Sequence, residues 1–367
     1  MTAKPPSKNR MILDKLLEDG GIQIEPAPLF TSPPRQIEAD LDRVEGMLLG
    51  LAIGDALGNT SEGMSPADRR RRYGEIRDFL PNNYAGGERV GLPSDDTQLS
   101  FWTLDQIMSD GRVDPENIAA RFCQGQIFGI GNTVSTFIRR HADGKRPWFK
   151  AGPASAGNGA LMRIAPVCIP HLQSRSSELW VDAALTAMIT HNDSASISAC
   201  VAFVGILWDL LGGEDPSPTW WLDRYVEIAA PLELDDPYEP VFLPRKGWHG
   251  TLSEFASEVI PPARAQDQST LEACESWGSG AYLLETVPSA LYILEKHGDS
   301  FEEAVVRAVN DTLDNDTSGA IVGAVMGARH GKRAIPARWI EGLLGRTRAK
   351  DDGRVQELVS QAALPSP

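Results

Sequence analysis

The sequence predicts an all-α protein, and three observations carry that prediction. Apolar residues recur three and four apart through nine separate stretches, the period of a helix with one buried face. Runs of alternating β-branched residues, which would mark strands, are nearly absent. Two of the nine stretches repeat glycine at every fourth position, Gly46, Gly50, Gly54 and Gly58 in one and Gly319, Gly323 and Gly327 in the other.

In chain order the first predicted helix spans 44–57, with Val44, Met47, Leu48 and Leu51 on one face. Next come 97–109 (Phe101, Leu104, Met108), 114–128 (Ile118, Ala119, Phe122) and 131–141 (Val134, Phe137, Ile138). The pair 178–190 and 195–212 follows, with Val181, Ala184, Leu185 and Met188 in the former and Ile197, Cys200, Val201 and Val204 in the latter. The last three are 281–297 (Leu284, Val287, Leu291, Leu294), 301–311 (Phe301, Ala304, Val305, Ala308) and 316–330 (Ile321, Ala324, Val325, Ala328). Glycine inside a helix costs about 1 kcal/mol relative to alanine. Repeating it on one face makes sense where two backbones approach closely, which would put both glycine-rich helices at the centre and their ends at one site.

Three segments stand apart. Residues 1–43 are proline-rich around one short amphipathic stretch and read as an N-terminal extension, loose or draped on something. Residues 213–268 are acidic, aromatic and proline-rich and read as a long surface excursion; residues 347–367 form a C-terminal tail. The body between them, 44–346, reads as one domain.

Composition narrows the classes. The 367 residues hold 35 Lys+Arg against 50 Asp+Glu, a formal charge of −15, which argues against a nucleic-acid partner. A chain this long buries a large core without disulfides or a structural metal. Cys123, Cys168, Cys200 and Cys274 form no CxxC pair and read as small core hydrophobes. The N-terminus offers no stretch suited to a signal peptide, and the apolar run Met47–Leu57 falls short of the ~20 residues that span a bilayer. A cytoplasmic protein without a membrane partner is expected.

Five constellations can carry chemistry. Ser94-Asp95-Asp96-Thr97 precedes a helix, where Ser94 or Asp95 can cap it and carboxylates are favoured by its dipole. Asp314-Asn315-Asp316-Thr317 also precedes a helix, with two carboxylates at i, i+2 beside a hydroxyl. Each alone can be a cap. Together they offer four carboxylates and two hydroxyls, a set that repels itself without a cation and suits hard, oxygen-seeking ions. Glu62 lies four residues after the turn Gly54-Asp55-Ala56-Leu57-Gly58, just beyond the first glycine-rich helix, and Gly157-Asn158-Gly159-Ala160-Leu161-Met162-Arg163 can bring backbone amides towards an anion. His191 sits at a helix junction in Thr190-His191-Asn192-Asp193, and the run Arg69–Arg72 reads as a solvated helix face.

The order GMLLGLAIGDALG…E, SDDT, GNGALMRIAPV, THND and DNDTSGAIVGAVMGARHG resembles the ADP-ribosylglycohydrolase family over roughly residues 44–346. That family includes the dinitrogenase-reductase-activating glycohydrolases. The resemblance implies a compact, orthogonal all-α domain with a binuclear centre of two Mg²⁺ or Mn²⁺ ions. By motif position it implies Ser94, Asp95, Asp96, Asp314, Asp316 and Thr317 as metal ligands, with Asp96, Asp316 and Glu62 as catalytic candidates. It further implies that Gly129, Gly131, Gly157, Asn158, Gly159, Met162 and His191 lie against ADP-ribose.

The implied activity is metal-dependent removal of mono-ADP-ribose from a modified protein side chain, with arginine the expected linkage. Some relatives resemble immunity proteins paired with bacterial ADP-ribosyltransferase toxins, and in that reading residues 1–43 also obstruct the toxin. The alternative is a catalytically silent ADP-ribose-binding or partner-blocking protein. This chain departs from the family in having Thr312-Leu313 where two glycines are usual and Ser94 where threonine is common.

Overall fold

In the computed structural model, residues 6–235, 237–241 and 245–363 are described, so parts of all three segments set apart above lie outside the described residues. Among the described residues sixteen α-helices follow in order: α1 Lys8–Glu18, α2 Leu41–Asn59, α3 Pro66–Tyr73, α4 Asp95–Asp110, α5 Pro115–Phe122, α6 Asn132–His141, α7 Glu178–Met188 and α8 Ser194–Leu211. Then come α9 Trp220–Ala229, α10 Leu252–Ala265, α11 Thr270–Trp277, α12 Leu283–His297, α13 Phe301–Asp311, α14 Asn315–His330, α15 Ala337–Gly342 and α16 Arg354–Ala362. The fold is all-α; among the described residues the strands are one two-residue antiparallel pair, Pro81–Asn82 with Glu88–Arg89.

Each predicted helix has its counterpart, most within two or three residues. The exception is 114–128, whose helix α5 stops at Phe122; Gly125 then turns into the left-handed region at φ +102°, which helical backbone does not visit. The helices that periodicity missed are short, charged or interrupted. α3 reads PADRRRRY, and α10 carries Pro261 and Pro262 within it. Helices α9 and α10 fall inside the 213–268 segment and bury Trp221, Tyr225, Phe255 and Ile260.

Helix α8 is the core. It is long and apolar enough to cross a membrane by length and composition, more so than the run at 47–57, yet every residue of it is buried inside the body. Its one charge, Asp209, accepts from Arg35 Nε at 2.7 Å and Arg224 Nε at 2.8 Å, so a buried carboxylate is neutralised on both oxygens.

Arg35 belongs to the N-terminal segment, which lies along the chain's own body. Leu13, Leu16, Ile22, Ile24, Phe30 and Ile37 are buried there. Core tryptophans hold that segment by their indole N–H groups, Trp180 donating to Ser32 O and Trp208 to Arg35 O, each at 2.9 Å.

Helices α2 and α14 make the most extensive helix–helix contact and run antiparallel. Gly46 faces Gly327, Gly50 faces Gly323 and Gly54 faces Gly319. A Cβ on Gly46 would lie 2.5 Å from the Gly327 carbonyl oxygen, and those on Gly50 and Gly54 would meet their partners' oxygens more closely still. Backbone therefore packs on backbone, with no side chain between.

An ordinary helical Gly→Ala change gains up to about 1 kcal/mol of helix propensity. Here the sign reverses: Gly323→Ala is expected to destabilise the protein by about 2–4 kcal/mol through overpacking, read as a lowered midpoint in denaturant unfolding.

Candidate metal centre and substrate cavity

The antiparallel contact brings the C-terminal half of α2 beside the N-terminus of α14, and the N-terminus of α4 joins them. From α2 comes Asp55, a residue the sequence reading placed in a turn and left out of the site. It is fully buried within the helix. Its carboxylate accepts from Ser94 N at 2.9 and 3.1 Å, from Thr97 N at 3.0 Å and from the Thr97 hydroxyl, so α2 caps the start of α4 from outside. The available signal was a lone carboxylate inside an apolar, glycine-spaced run.

Ser94 is the N-cap of α4. Its Oγ accepts from Asp96 N at 3.4 Å and donates to Asp96 Oδ2 at 3.0 Å. Asp96 is 2% exposed, and its Oδ1 is buried without a hydrogen-bond partner. Carboxylate oxygens of Asp55, Asp96 and Asp316 lie within 4.8 Å of one another.

Such a cluster resists ionisation. Burial, followed by the neighbouring carboxylates, holds Asp95, Asp96 and Asp316 well above the usual carboxylate range. Burial also raises Asp55 and Asp314, against the hydrogen bonds each accepts. Glu62 stands exposed at the rim, and desolvation by the wall, then Asp314 and Asp55, raises it as well. An unpartnered buried oxygen among converging carboxylates and hydroxyls fits a hard divalent cation. Asp55, Asp95, Asp96, Asp314 and Asp316, with Ser94 and Thr317 beside them, are the groups that can hold it.

Neighbouring side chains fix the two loops. Asn158 Nδ2 donates to Asp314 Oδ2 at 2.6 Å and to Thr286 Oγ1 at 3.1 Å, so this amide braces the acidic loop. Asn315 Nδ2 donates to Gly58 O at 3.1 Å and Ser61 Oγ at 2.9 Å, tying the start of α14 to the segment that carries Glu62. Arg69 corrects the reading of Arg69–Arg72 as a solvated face. It is 0% exposed, and its guanidinium donates to Thr312 O and Met64 O, each at 2.9 Å, and to Asn310 O at 3.2 Å. It thereby joins the loop after Glu62 to the loop before Asp314. Arg70, Arg71 and Arg72 are solvent-facing.

One cavity of about 200 Å³ gathers thirteen of the fourteen residues named from sequence: Glu62, Asp95, Asp96, Gly129, Gly131, Gly157, Asn158, Gly159, Met162, His191, Asp314, Asp316 and Thr317 all line it. Ser94 lines an adjoining cavity instead. On the wall away from the acids, a Cβ on Gly159 would come 3.0 Å from His191 Cε1, so glycine lets the imidazole lie against the loop. Thr190 Oγ1 accepts from Arg163 Nη2 at 2.8 Å and lies 2.8 Å from His191 Nδ1, to which it can give its proton. In that tautomer Nε2 carries the N–H on the side of Gly157 and Gly159.

A sequence profile of the family described as ADP-ribosylglycohydrolase matches residues 36–365. The chain belongs to the ADP-ribosylglycohydrolase family. A relative from Archaeoglobus fulgidus, described as an uncharacterized protein, is 32% identical, covering 83% of this chain and 92% of its own. The ADP-ribosyl-[dinitrogen reductase] glycohydrolase of Rhodospirillum rubrum is 27% identical over 88% of this chain and 97% of its own. The ADP-ribosylarginine hydrolase Tri1 of Pseudomonas putida is 27% identical over 83% and 75%. A solved chain titled "ADP-ribosylglycohydrolase-related protein complex" superposes with a TM-score of 0.58 over 88% of this chain and 96% of that one, at 24% identity, and so shares the fold.

Burial, and secondarily the charge of Arg163, lowers the His191 imidazole to about 3 from its usual 6.5. The folded value lies below the unfolded one, so His191 costs nothing above pH 6.5, and stability is lost as pH falls from there towards 3. The maximum slope is about 1.4 kcal/mol per pH unit. His191→Gln is therefore expected to lose about 1.4 kcal/mol less stability than the parent between pH 7.5 and 5.5, measured by urea unfolding at each pH.

Proposed function

We propose that this chain is a metal-dependent hydrolase that removes mono-ADP-ribose from arginine side chains of modified proteins. The observation that carries the reading is the partnerless Asp96 Oδ1 within the buried carboxylate cluster, opening on a cavity whose other wall is the Gly157–Gly159 loop and His191. Family membership supports the reaction class. The names of the Rhodospirillum and Pseudomonas relatives support ADP-ribosylated protein as substrate, and the latter supports arginine as the linked residue.

In this reading Asp95, Asp96, Asp314 and Asp316, with Ser94, Thr317 and the adjoining Asp55, hold two Mg²⁺ or Mn²⁺ ions. Bound there, the ions supply Lewis-acid stabilisation of charge developing at the ribose. The chain's own groups orient the substrate and move the proton. The Gly157–Gly159 loop and the His191 Nε2–H line the side that receives the ADP portion. Asp96 and Asp316 are packed inside, whereas Glu62 at the rim reaches solvent and can exchange a proton there.

Hydrolysis then balances as follows. The water oxygen bonds to the anomeric carbon, the bond from that carbon to the guanidine nitrogen breaks, and one water proton passes through the Glu62 carboxylate to the departing guanidine. This reading rests on the cavity and not on residues 1–43. The described part of that segment is packed on its own body, so an obstructing role towards a toxin adds nothing to it.

The test is release of ADP-ribose from an arginine-ADP-ribosylated protein, with Mg²⁺ or with chelator. Release is expected to depend on the metal and to fall by about 10²–10⁴ in Glu62→Gln, the range for losing a general acid–base. Release unaffected by chelator, or none from arginine-linked substrate while serine-linked substrate is cleaved, would replace the metal or the linkage in this reading.

A further inference from the structure

A second cavity, of about 450 Å³, adjoins the first and shares with it only Glu62 and Gly129. Ser94 borders it on the side of the metal centre, and its other walls come largely from elements that the proposed reaction leaves unused: the 81–89 hairpin with Tyr84, the loop before Gly129 with Phe128, and the chain beyond α15 with Arg346 and Ala349. We propose that this cavity receives the leaving half of the substrate, the modified arginine side chain and its adjoining peptide backbone.

The inference rests on the proposed hydrolase reading and extends it to the substrate's other half. A substrate cut at one bond has two halves that meet at that bond. A site for it needs two chambers meeting at the group that handles the proton. Here they meet at Glu62. The first chamber holds the acidic cluster and the Gly157–Gly159 loop, which leaves the second for the side chain and peptide.

The chemistry of the walls agrees. Tyr84 is 90% exposed and stands on the tip of the hairpin at the edge of the cavity, a large aromatic face left open to solvent. Planar guanidinium groups stack on such faces. The cavity already contains one example, the Arg346 guanidinium 4.0 Å over the Phe128 ring. Arg346 Nη2 donates to Pro93 O at 2.9 Å, while its Nε is buried with no partner. The charge of Arg346 is offset in part by Asp351, which lessens its repulsion of a second guanidinium.

The volume falls within the roughly 300–1,000 Å³ typical of ligand pockets. Tyr84 and Ala349 are both exposed, so both can be changed without disturbing the core. Ala349→Trp fills the chamber, Tyr84→Ala removes the face, and Tyr84→Phe keeps it.

The experiment measures binding in full-length protein carrying Glu62→Gln, which stops turnover, with Mg²⁺ present. Two ligands are titrated calorimetrically, free ADP-ribose and an arginine-ADP-ribosylated peptide. Tyr84→Ala is expected to weaken the peptide about fivefold, the size of an exposed cation–π contact, and Tyr84→Phe to restore it. Ala349→Trp is expected to weaken the peptide by about tenfold or more, with free ADP-ribose changed less than about twofold in every variant. Peptide affinity unchanged in both Tyr84→Ala and Ala349→Trp, or both ligands weakened equally, would overturn the assignment of this cavity while leaving the hydrolase reading intact. No affinity for free ADP-ribose in the parent would overturn both.

Discussion

Everything at the candidate site depends on backbone meeting backbone between α2 and α14. Three glycines on each helix remove the side chains that would hold the axes apart, and the antiparallel arrangement then sets the end of one helix against the start of the other. Gly58, the next in the α2 series, faces Asp316 itself, so the acidic loop is continuous with the glycine contact. Asp55 is thereby carried to the start of α4, where it accepts both backbone and hydroxyl hydrogen bonds. The N-termini of α4 and α14 both point into the cluster, and their dipoles offset part of its negative charge.

The arrangement carries a cost that a bound cation would offset. Five carboxylates are gathered where water is largely excluded, and desolvation works against ionising any of them. The protein does not relieve the strain by letting the cluster spread. Asn158 holds Asp314, Asn315 fastens α14 to the segment before Glu62, and Arg69 joins the two loops through their carbonyl oxygens. These braces preorganise ligands at the expense of the metal-free fold, the trade expected when a site rather than a core is being optimised.

The helices were legible because their apolar period is undiluted, and the convergence of the two acidic loops was legible because each directly precedes a helix start. What stayed hidden has physical reasons. Asp55 is one acid in an apolar run, and sequence does not distinguish a carboxylate that terminates a turn from one that caps a neighbouring helix across space. Arg69 looks like its three solvent-facing neighbours; its burial follows from carbonyls more than two hundred residues away in the chain. Asn158 looked like part of an anion cradle, yet its side-chain amide is engaged with Asp314, a partner that only the tertiary fold supplies. Helix α10 was masked by two consecutive prolines, Pro261 and Pro262, in its C-terminal half, which neighbouring packing rather than helix propensity keeps helical.

Buried carboxylates that form a cation site would make ion occupancy stabilise the fold. The direct measurement is the thermal unfolding midpoint of the full-length protein across a Mg²⁺ or Mn²⁺ titration, for the parent and for Asp96→Ala. The parent is expected to gain about 3–6 °C at ion concentrations near a hundred times the dissociation constant, and the variant to gain little. A parent midpoint that does not move, or a variant that gains as much as the parent, would contradict it.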